Sequence, residues 1–262
     1  MHNFEFVKPS TIADAVAALG AEGAQALSGG QTLLPTMKQR LAAPSTLVSL
    51  TGISEMKGVC MGDGGLSIGG ATTHVTVARE AAKLYPALAT LAGGIGDPAV
   101  RNRGTIGGSV ANNDPAACYP SAVLASGATV VTNRRRIAAD DFFQGMFTTA
   151  LEEGEIITEV VFPIPEKAAY VKFVQPASRF ALTAVFVAKY ASGVRVAVTG
   201  ASNNGVFRWK AAEAALSANF AASAVAGLRA SADDLITDLH GTAAYRAHLI
   251  GVLTKRAVEA AH

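Results

Sequence analysis

Residues 26–35, ALSGGQTLLP, place two adjacent glycines where an apolar strand ending at Leu27 runs straight into a helix starting near Leu33. A Gly-Gly pair at such a junction clears the Cβ atoms from successive main-chain N–H groups and lets those groups converge. The partial positive charge of the helix N-terminus adds to them, and the hydroxyls of Ser28 and Thr32 can donate to the same acceptor. The turn either receives an anion or lets strand and helix pack closely. A second segment, RNRGTIGGSVANNDP from Arg101 to Pro115, repeats the device. Gly107 and Gly108 follow a β-branched strand end and precede Ser109, with Thr105 able to donate a hydroxyl. Two anion-binding turns suit the pyrophosphate of a dinucleotide. No GxGxxG opens a helix and no GxxxxGK[ST] occurs, so neither the Rossmann fingerprint nor the phosphate loop of NTPases accounts for them.

Composition narrows the partners. Half of the 262 residues are apolar, 16% are charged and the net charge is +2, a balance that supports a sizeable core in one large or two to three small domains. The basic residues are scattered except at Arg134, Arg135 and Arg136, so no basic stripe exists for nucleic acid. The N-terminal MHNFEFVKPS lacks the pattern of a secretory signal, and no run reaches the ~18 apolar residues of a membrane span. A cytoplasmic location is the expectation. Cys60 and Cys118 are the only cysteines, too few for an iron–sulfur cluster on this chain, and the histidines at positions 2, 74, 240, 248 and 262 have no metal-ligand spacing. No metal site is expected.

Along the chain, Thr11 and Asp14 form a capping box before Ile12, Ala15, Val16 and Leu19 at helical spacing. A strand at 25–27, the first glycine turn, a helix at 33–40 and a strand at 46–50 complete a small α/β unit. A strand at 66–69 and helices at 75–83 and 86–92 follow, then an irregular loop over 93–104 and a strand end at 105–109 entering the second glycine turn. A helix at 120–125 and strands at 129–132 and 155–162 lead to Pro163-Ile164-Pro165, which marks a boundary. Beyond it, strands at 170–174, 183–190 and 194–199 form a meander, followed by helices at 210–216 and 245–259, the simplest packing being helices on one face of the sheet. Arg134 to Arg136 fall at a hairpin turn and are expected to be solvated. Arg101 and Arg103 either pair with Asp97 or meet an acidic partner surface.

Five segments in order, SGGQTLLPTMKQR, IGDPAVRNRGTIGGSVANNDPAA, GEIITEVVFPIP, YVKFVQPASRFALTAVFVA and YRAHLIGVLTKRAVE, resemble the FAD-binding medium subunits of molybdenum hydroxylases, the carbon monoxide dehydrogenase and xanthine dehydrogenase-like group. The resemblance covers essentially the whole chain. It implies an α+β architecture, with a flavin fold of the p-cresol methylhydroxylase type in two α/β subdomains, 1–54 and 55–165, and a C-terminal domain of antiparallel sheet with helices, 166–262. One FAD would lie between them. By motif, Leu27, Ser28, Gly29, Gly30, Gln31, Thr32 and Leu33, together with Thr105, Ile106, Gly107, Gly108 and Ser109, would wrap the pyrophosphate. Thr72 and Thr73 would be secondary contacts and Ile95 and Ile157 apolar ones, and Lys172 would place a cation near the flavin; without the match, Lys172 reads equally as an edge-strand lysine.

Two positions depart from the family pattern. Cys118 stands where the family usually carries an aspartate against the ribityl chain or ring, leaving Asn112, Asn113, Asp114 or water to meet the sugar hydroxyls. Arg179 and Phe180 replace an Asp-Tyr pair in the ring-facing loop, where Phe180 can still stack on the ring. The resemblance further implies an electron-transfer subunit, with the molybdenum cofactor on a large partner and iron–sulfur clusters on a small one, assembled as a dimer of heterotrimers and passing electrons to an external acceptor. The alternative is a self-sufficient flavin reductase or oxidase of the same fold. It would need its own acid or base, and no such constellation occurs. Valine at Gly29 or Gly107 is expected to expel flavin from a folded chain.

Overall fold

The structure, a computed structural model, describes residues 1–262. The N-terminal unit comprises β1 (Glu5–Val7), α1 (Ile12–Leu19), β2 (Ala24–Leu27), α2 (Leu33–Lys38) and β3 (Thr46–Ser49), with both outer strands parallel to β3 in the order β1-β3-β2. Thr11 caps α1 by accepting from the Asp14 N–H at 3.1 Å, and Ala15 and Leu19 then point into a small core with Val48 and Ile53.

The second unit runs through β4 (Val59–Gly62), β5 (Gly65–Gly69), α3 (His74–Glu80), α4 (Pro86–Gly93), α5 (Pro98–Arg103), α6 (Ile106–Asn112), α7 (Tyr119–Ser126), β6 (Thr129–Thr132), β7 (Arg136–Ala138), α8 (Ala139–Phe142), β8 (Phe143–Gly145), β9 (Thr148–Thr149) and β10 (Ile157–Phe162). Five of its strands form an antiparallel sheet in the order β4-β5-β10-β6-β7. All eight residues of α7 are buried, and its two serines are satisfied inside the protein, Ser121 Oγ donating to Cys118 O and Ser126 Oγ bonding the Tyr85 hydroxyl.

After the Pro163–Pro165 connection come β11 (Lys167–Val174), β12 (Ala181–Tyr190), β13 (Gly193–Thr199), β14 (Phe207–Arg208), α9 (Lys210–Ala218) and α10 (Ala243–Ala260), the strands pairing in sequence order as an antiparallel meander. Residues 181–188 of β12 are buried without a break. Ala184, Phe186 and Ala188 join the core of α4 and α7, whereas Val185 and Val187 join that of α9 and α10. Helices therefore cover both faces of this sheet, not one. The apolar run on β12 is the signature of a strand with no solvated side. No helix is long and apolar enough to cross a membrane.

Three local expectations change. The 93–104 stretch contains α5, capped by Asp97, which accepts from the Val100 N–H at 2.9 Å, with Pro98 in the first turn. Thr105 to Ser109 is not a strand end: Thr105 is the N-cap of α6, and both glycines lie in its first turn. The arginine hairpin is more than a solvated turn, because Arg135 binds both carboxylate oxygens of Glu155 at 3.0 Å while the Glu155 side chain has no solvent exposure. That pairing holds the Glu155 carboxyl down at about 2, mainly through the Arg135 hydrogen bond.

Candidate functional site

A cavity of about 550 Å³, within the range of small-molecule sites, opens where the three units meet. Its first wall is the turn between β2 and α2. The main-chain N–H groups of Ser28, Gly29, Gly30, Gln31, Thr32 and Leu33 make no hydrogen bond within the chain. Gly30 adopts a left-handed φ of 70°, which reverses the backbone between the strand and the helix. Thr32 precedes α2 without capping it, so its hydroxyl also remains free. Six successive unpaired donors facing one cavity form a concave nest for an anion.

The second glycine turn works differently. Thr105 Oγ1 accepts from the Gly108 N–H at 3.2 Å, and the N–H groups of Ile106, Gly107 and Ser109 donate to Thr72 O, Gly70 O and Thr105 O. Its donors are used inside the protein. The glycines here and at position 29 permit close backbone approach instead. A Cβ on Gly107 would lie 2.6 Å from Gly70 O, and one on Gly29 would lie 2.3 Å from Arg103 O and 2.5 Å from Gly104 Cα. The two turns meet directly, and Ser28 Oγ and Thr105 Oγ1 hydrogen-bond at 2.7 Å. Valine at Gly29 or Gly107 would thus force backbones apart and cannot report on phosphate approach alone, contrary to the expectation from sequence.

Elsewhere in the lining, Lys172 projects from β11 and its Nζ donates to Gly94 O at 2.6 Å, to Arg179 O at 3.1 Å and to Cys118 Sγ at 3.7 Å. No carboxylate partners it. Arg179 itself has a left-handed φ of 62°, and Phe180 is 58% exposed at the cavity rim. Arg101 does not pair with Asp97. Its guanidinium donates to Ile95 O and Gly96 O and so shapes the loop that carries Ile95.

The remaining expected residues divide. Leu27, Gln31, Leu33, Ile95, Gly108, Ser109, Asp114, Cys118 and Ile157 line the cavity with those already described, as does Asn112. Thr72, Thr73, Ile106 and Asn113 do not. Thr72 Oγ1 donates to Gly58 O and accepts from its N–H, Thr73 Oγ1 bonds Thr76 Oγ1, and Ile106 sits in the core. Asn113 adopts a left-handed conformation and donates through Nδ2 to Gly145 O at 2.7 Å and Thr148 O at 2.9 Å, which ties the β8–β9 hairpin to α6. His74, Gly104, Leu151 and Ile156 join the lining without any local sequence signal. Burial, helped by the nearby charge of Arg101, lowers the His74 imidazole to about 4, so it is neutral near pH 7.

A cavity whose lining combines a row of free N–H donors, apolar walls at Ile95 and Ile157, and an ammonium without a counter-ion fits a flavin dinucleotide. Comparison with known proteins agrees. The family model described as "FAD binding domain in molybdopterin dehydrogenase" matches residues 2–165. The carbon monoxide dehydrogenase medium chain of Afipia carboxidovorans is 34% identical over 279 residues, covering 99% of this chain and 96% of that protein. The nicotine 6-hydroxylase medium subunit of Paenarthrobacter nicotinovorans is 36% identical over 273 residues, covering 97% and 95%. Among solved structures, a chain of reconstituted CO dehydrogenase from Oligotropha carboxidovorans superposes with a TM-score of 0.89 at 31% identity, covering 98% of this chain and 97% of that one. With its α+β fold and its cavity, the chain belongs to the family of FAD-binding domains of molybdopterin dehydrogenases and is a flavoprotein subunit of an oxidoreductase.

Proposed function

We propose that the chain holds one FAD in this cavity and serves as the electron-transfer subunit of a multi-subunit molybdenum hydroxylase in the cytoplasm. It would take electrons from iron–sulfur clusters on a small partner, fed by a molybdenum cofactor on a large one, and pass them to an external acceptor; the expected assembly is a dimer of heterotrimers. Residues 1–54 and 55–165 would act as the two flavin subdomains and 166–262 as the wall over the ring end. The observation that carries the reading is the row of six unpaired N–H groups from Ser28 to Leu33.

These groups, with the Ser28 and Thr32 hydroxyls, would hold the pyrophosphate, each charge-assisted hydrogen bond being worth roughly 1.5–3 kcal/mol. The second turn would close the phosphate end by steric fit, since its own donors are already paired. Ile95 and Ile157 would exclude water. FAD, when bound, supplies one- and two-electron chemistry. Lys172, held by two carbonyls and a thiol, would put a fixed positive charge beside the ring and favour its reduced, more negative form. Of the titratable groups in the lining, Glu155 is bound by Arg135, Asp97 and Asp114 accept from main-chain N–H groups, and His74 has no acid or base partner, which favours electron transfer over a self-sufficient flavoenzyme.

Heat-denaturing the purified chain should release close to one FAD per chain, read by absorbance and fluorescence. A chain that neither carries FAD nor takes it up on titration would refute the reading. Gly108→Val, whose Cβ would reach Thr105 Oγ1 at 3.0 Å without meeting backbone, is expected to weaken FAD at least ~10-fold, about 1.4 kcal/mol, in a chain that still folds.

A further inference from the structure

His74 opens α3 in the cavity wall, on the opposite side of Gly104 from the nest. Its main-chain N–H donates to Gly104 O at 3.0 Å. Its imidazole fills the space that a side chain at position 104 would need, with Nε2 2.5 Å from the Cβ such a residue would carry. Gly29 approaches the same Gly104 Cα from the nest side. One glycine thickness thus separates the imidazole from the anion nest.

The ring is 4% exposed, Nδ1 is buried without a partner, and Nε2 makes no hydrogen bond within the chain. Two groups face it from neighbouring elements: the Tyr119 ring from α7, 5.3 Å away between centroids, and Arg101 from α5, whose guanidinium is already committed to carbonyls. The Tyr119 hydroxyl is itself buried and unpartnered. Nδ1 is sealed within the protein, whereas Nε2, equally without a partner, keeps accessible surface in a residue of the cavity lining and is the ring nitrogen that a bound molecule can satisfy.

We propose that His74 is a further contact residue of this site, donating a hydrogen bond from Nε2 to an oxygen of the bound FAD between the nest and Lys172. The inference rests on the FAD reading above. A neutral donor suits this position, because main-chain N–H groups already face the phosphates and Lys172 already supplies the cation at the ring end.

Fluorescence titration of FAD into the purified full-length apo chain tests it. His74→Phe keeps the ring volume and removes the donor, and should weaken FAD about 5- to 30-fold. Its apo melting temperature should stay level or rise, since an unpaired buried nitrogen is removed, whereas a purely structural role would lower it. His74→Gln places an amide nitrogen where Nε2 lies and should bind within about threefold of wild type. His74→Asn places its amide at the Nδ1 position and should bind like the phenylalanine variant. Wild-type affinity in His74→Phe, or equal weakness in His74→Gln and His74→Asn, overturns the assignment. If His74→Phe does not fold, the Gln-to-Asn ratio decides. A wild-type chain that takes no FAD overturns the parent reading and this one together, and is thereby distinguishable.

Discussion

Lys172 ties together three elements of the cavity wall: the Gly94 carbonyl after α4, the Cys118 thiol before α7, and the Arg179 carbonyl in the β11–β12 turn. Removing its charge should disfavour the reduced flavin. Lys172→Met is expected to lower the two-electron midpoint potential by about 30–60 mV, equivalent to ~1.4–2.8 kcal/mol, read by spectroelectrochemistry. Two residues contribute to the acid response of the apo chain in separate pH windows. His74, held at about 4 against 6.5 when unfolded, takes up its proton more readily in the unfolded chain, so stability falls as pH drops from 6.5 towards 4. Glu155, held at about 2 against 4.5, contributes stability that is complete above 4.5 and is lost as pH falls towards 2. Urea titrations across pH should show His74→Gln flattening the upper window and Glu155→Gln the lower one. At pH 7 Glu155→Gln should cost about 2 kcal/mol, through loss of the charged hydrogen bonds to Arg135.

At the scale of elements, the two glycine turns look alike in sequence and differ in what surrounds them. The first is a local product: the alternation ending at Leu27, the Gly-Gly pair and the helix at Leu33 are all contiguous, and the free N–H row follows from chain geometry alone. In the second, Thr105 takes up the Gly108 and Ser109 donors locally, and Thr72 and Gly70, more than thirty residues away, take up those of Ile106 and Gly107. Gly107→Ala should therefore behave as a packing variant. Its methyl would lie 2.6 Å from Gly70 O, and a loss of about 1–3 kcal/mol in urea unfolding is expected even without FAD. Equal stability to wild type would show that α6 can shift. The α5 helix was legible, since Asp97-Pro98, which reads as a loop signal beside the flanking glycines, is equally a cap followed by a first-turn proline.

For the whole molecule, β12 joins the C-terminal sheet to the second unit. Phe186 is fully buried against Tyr85 and Tyr170, at ring-centroid distances of 6.1 and 6.2 Å. Phe186→Ala should cost about 3–5 kcal/mol. Because α4, α7 and this sheet share one core, the loss should appear as a single shifted transition by both far-ultraviolet circular dichroism and tyrosine fluorescence. Two separated transitions would mean that the units unfold independently.

The sequence by itself determined the longer strands, most helices and the first glycine turn, because each arises from periodicity, capping and glycine placement within a few neighbouring residues, whereas the α+β class was implied by the resemblance of the five segments and the short strands β1, β4, β7, β8, β9 and β14 carried no such signal. It also set the polarity of the site, through a lysine on an apolar strand at Lys172. Only the tertiary structure decided that helices cover both faces of the last sheet, that the second glycine turn uses its donors internally where the first leaves them free, and that His74 stands unpaired in the cavity wall. These depend on which distant groups satisfy a given N–H or fill the space over a given Cα, and local sequence holds no record of those partners.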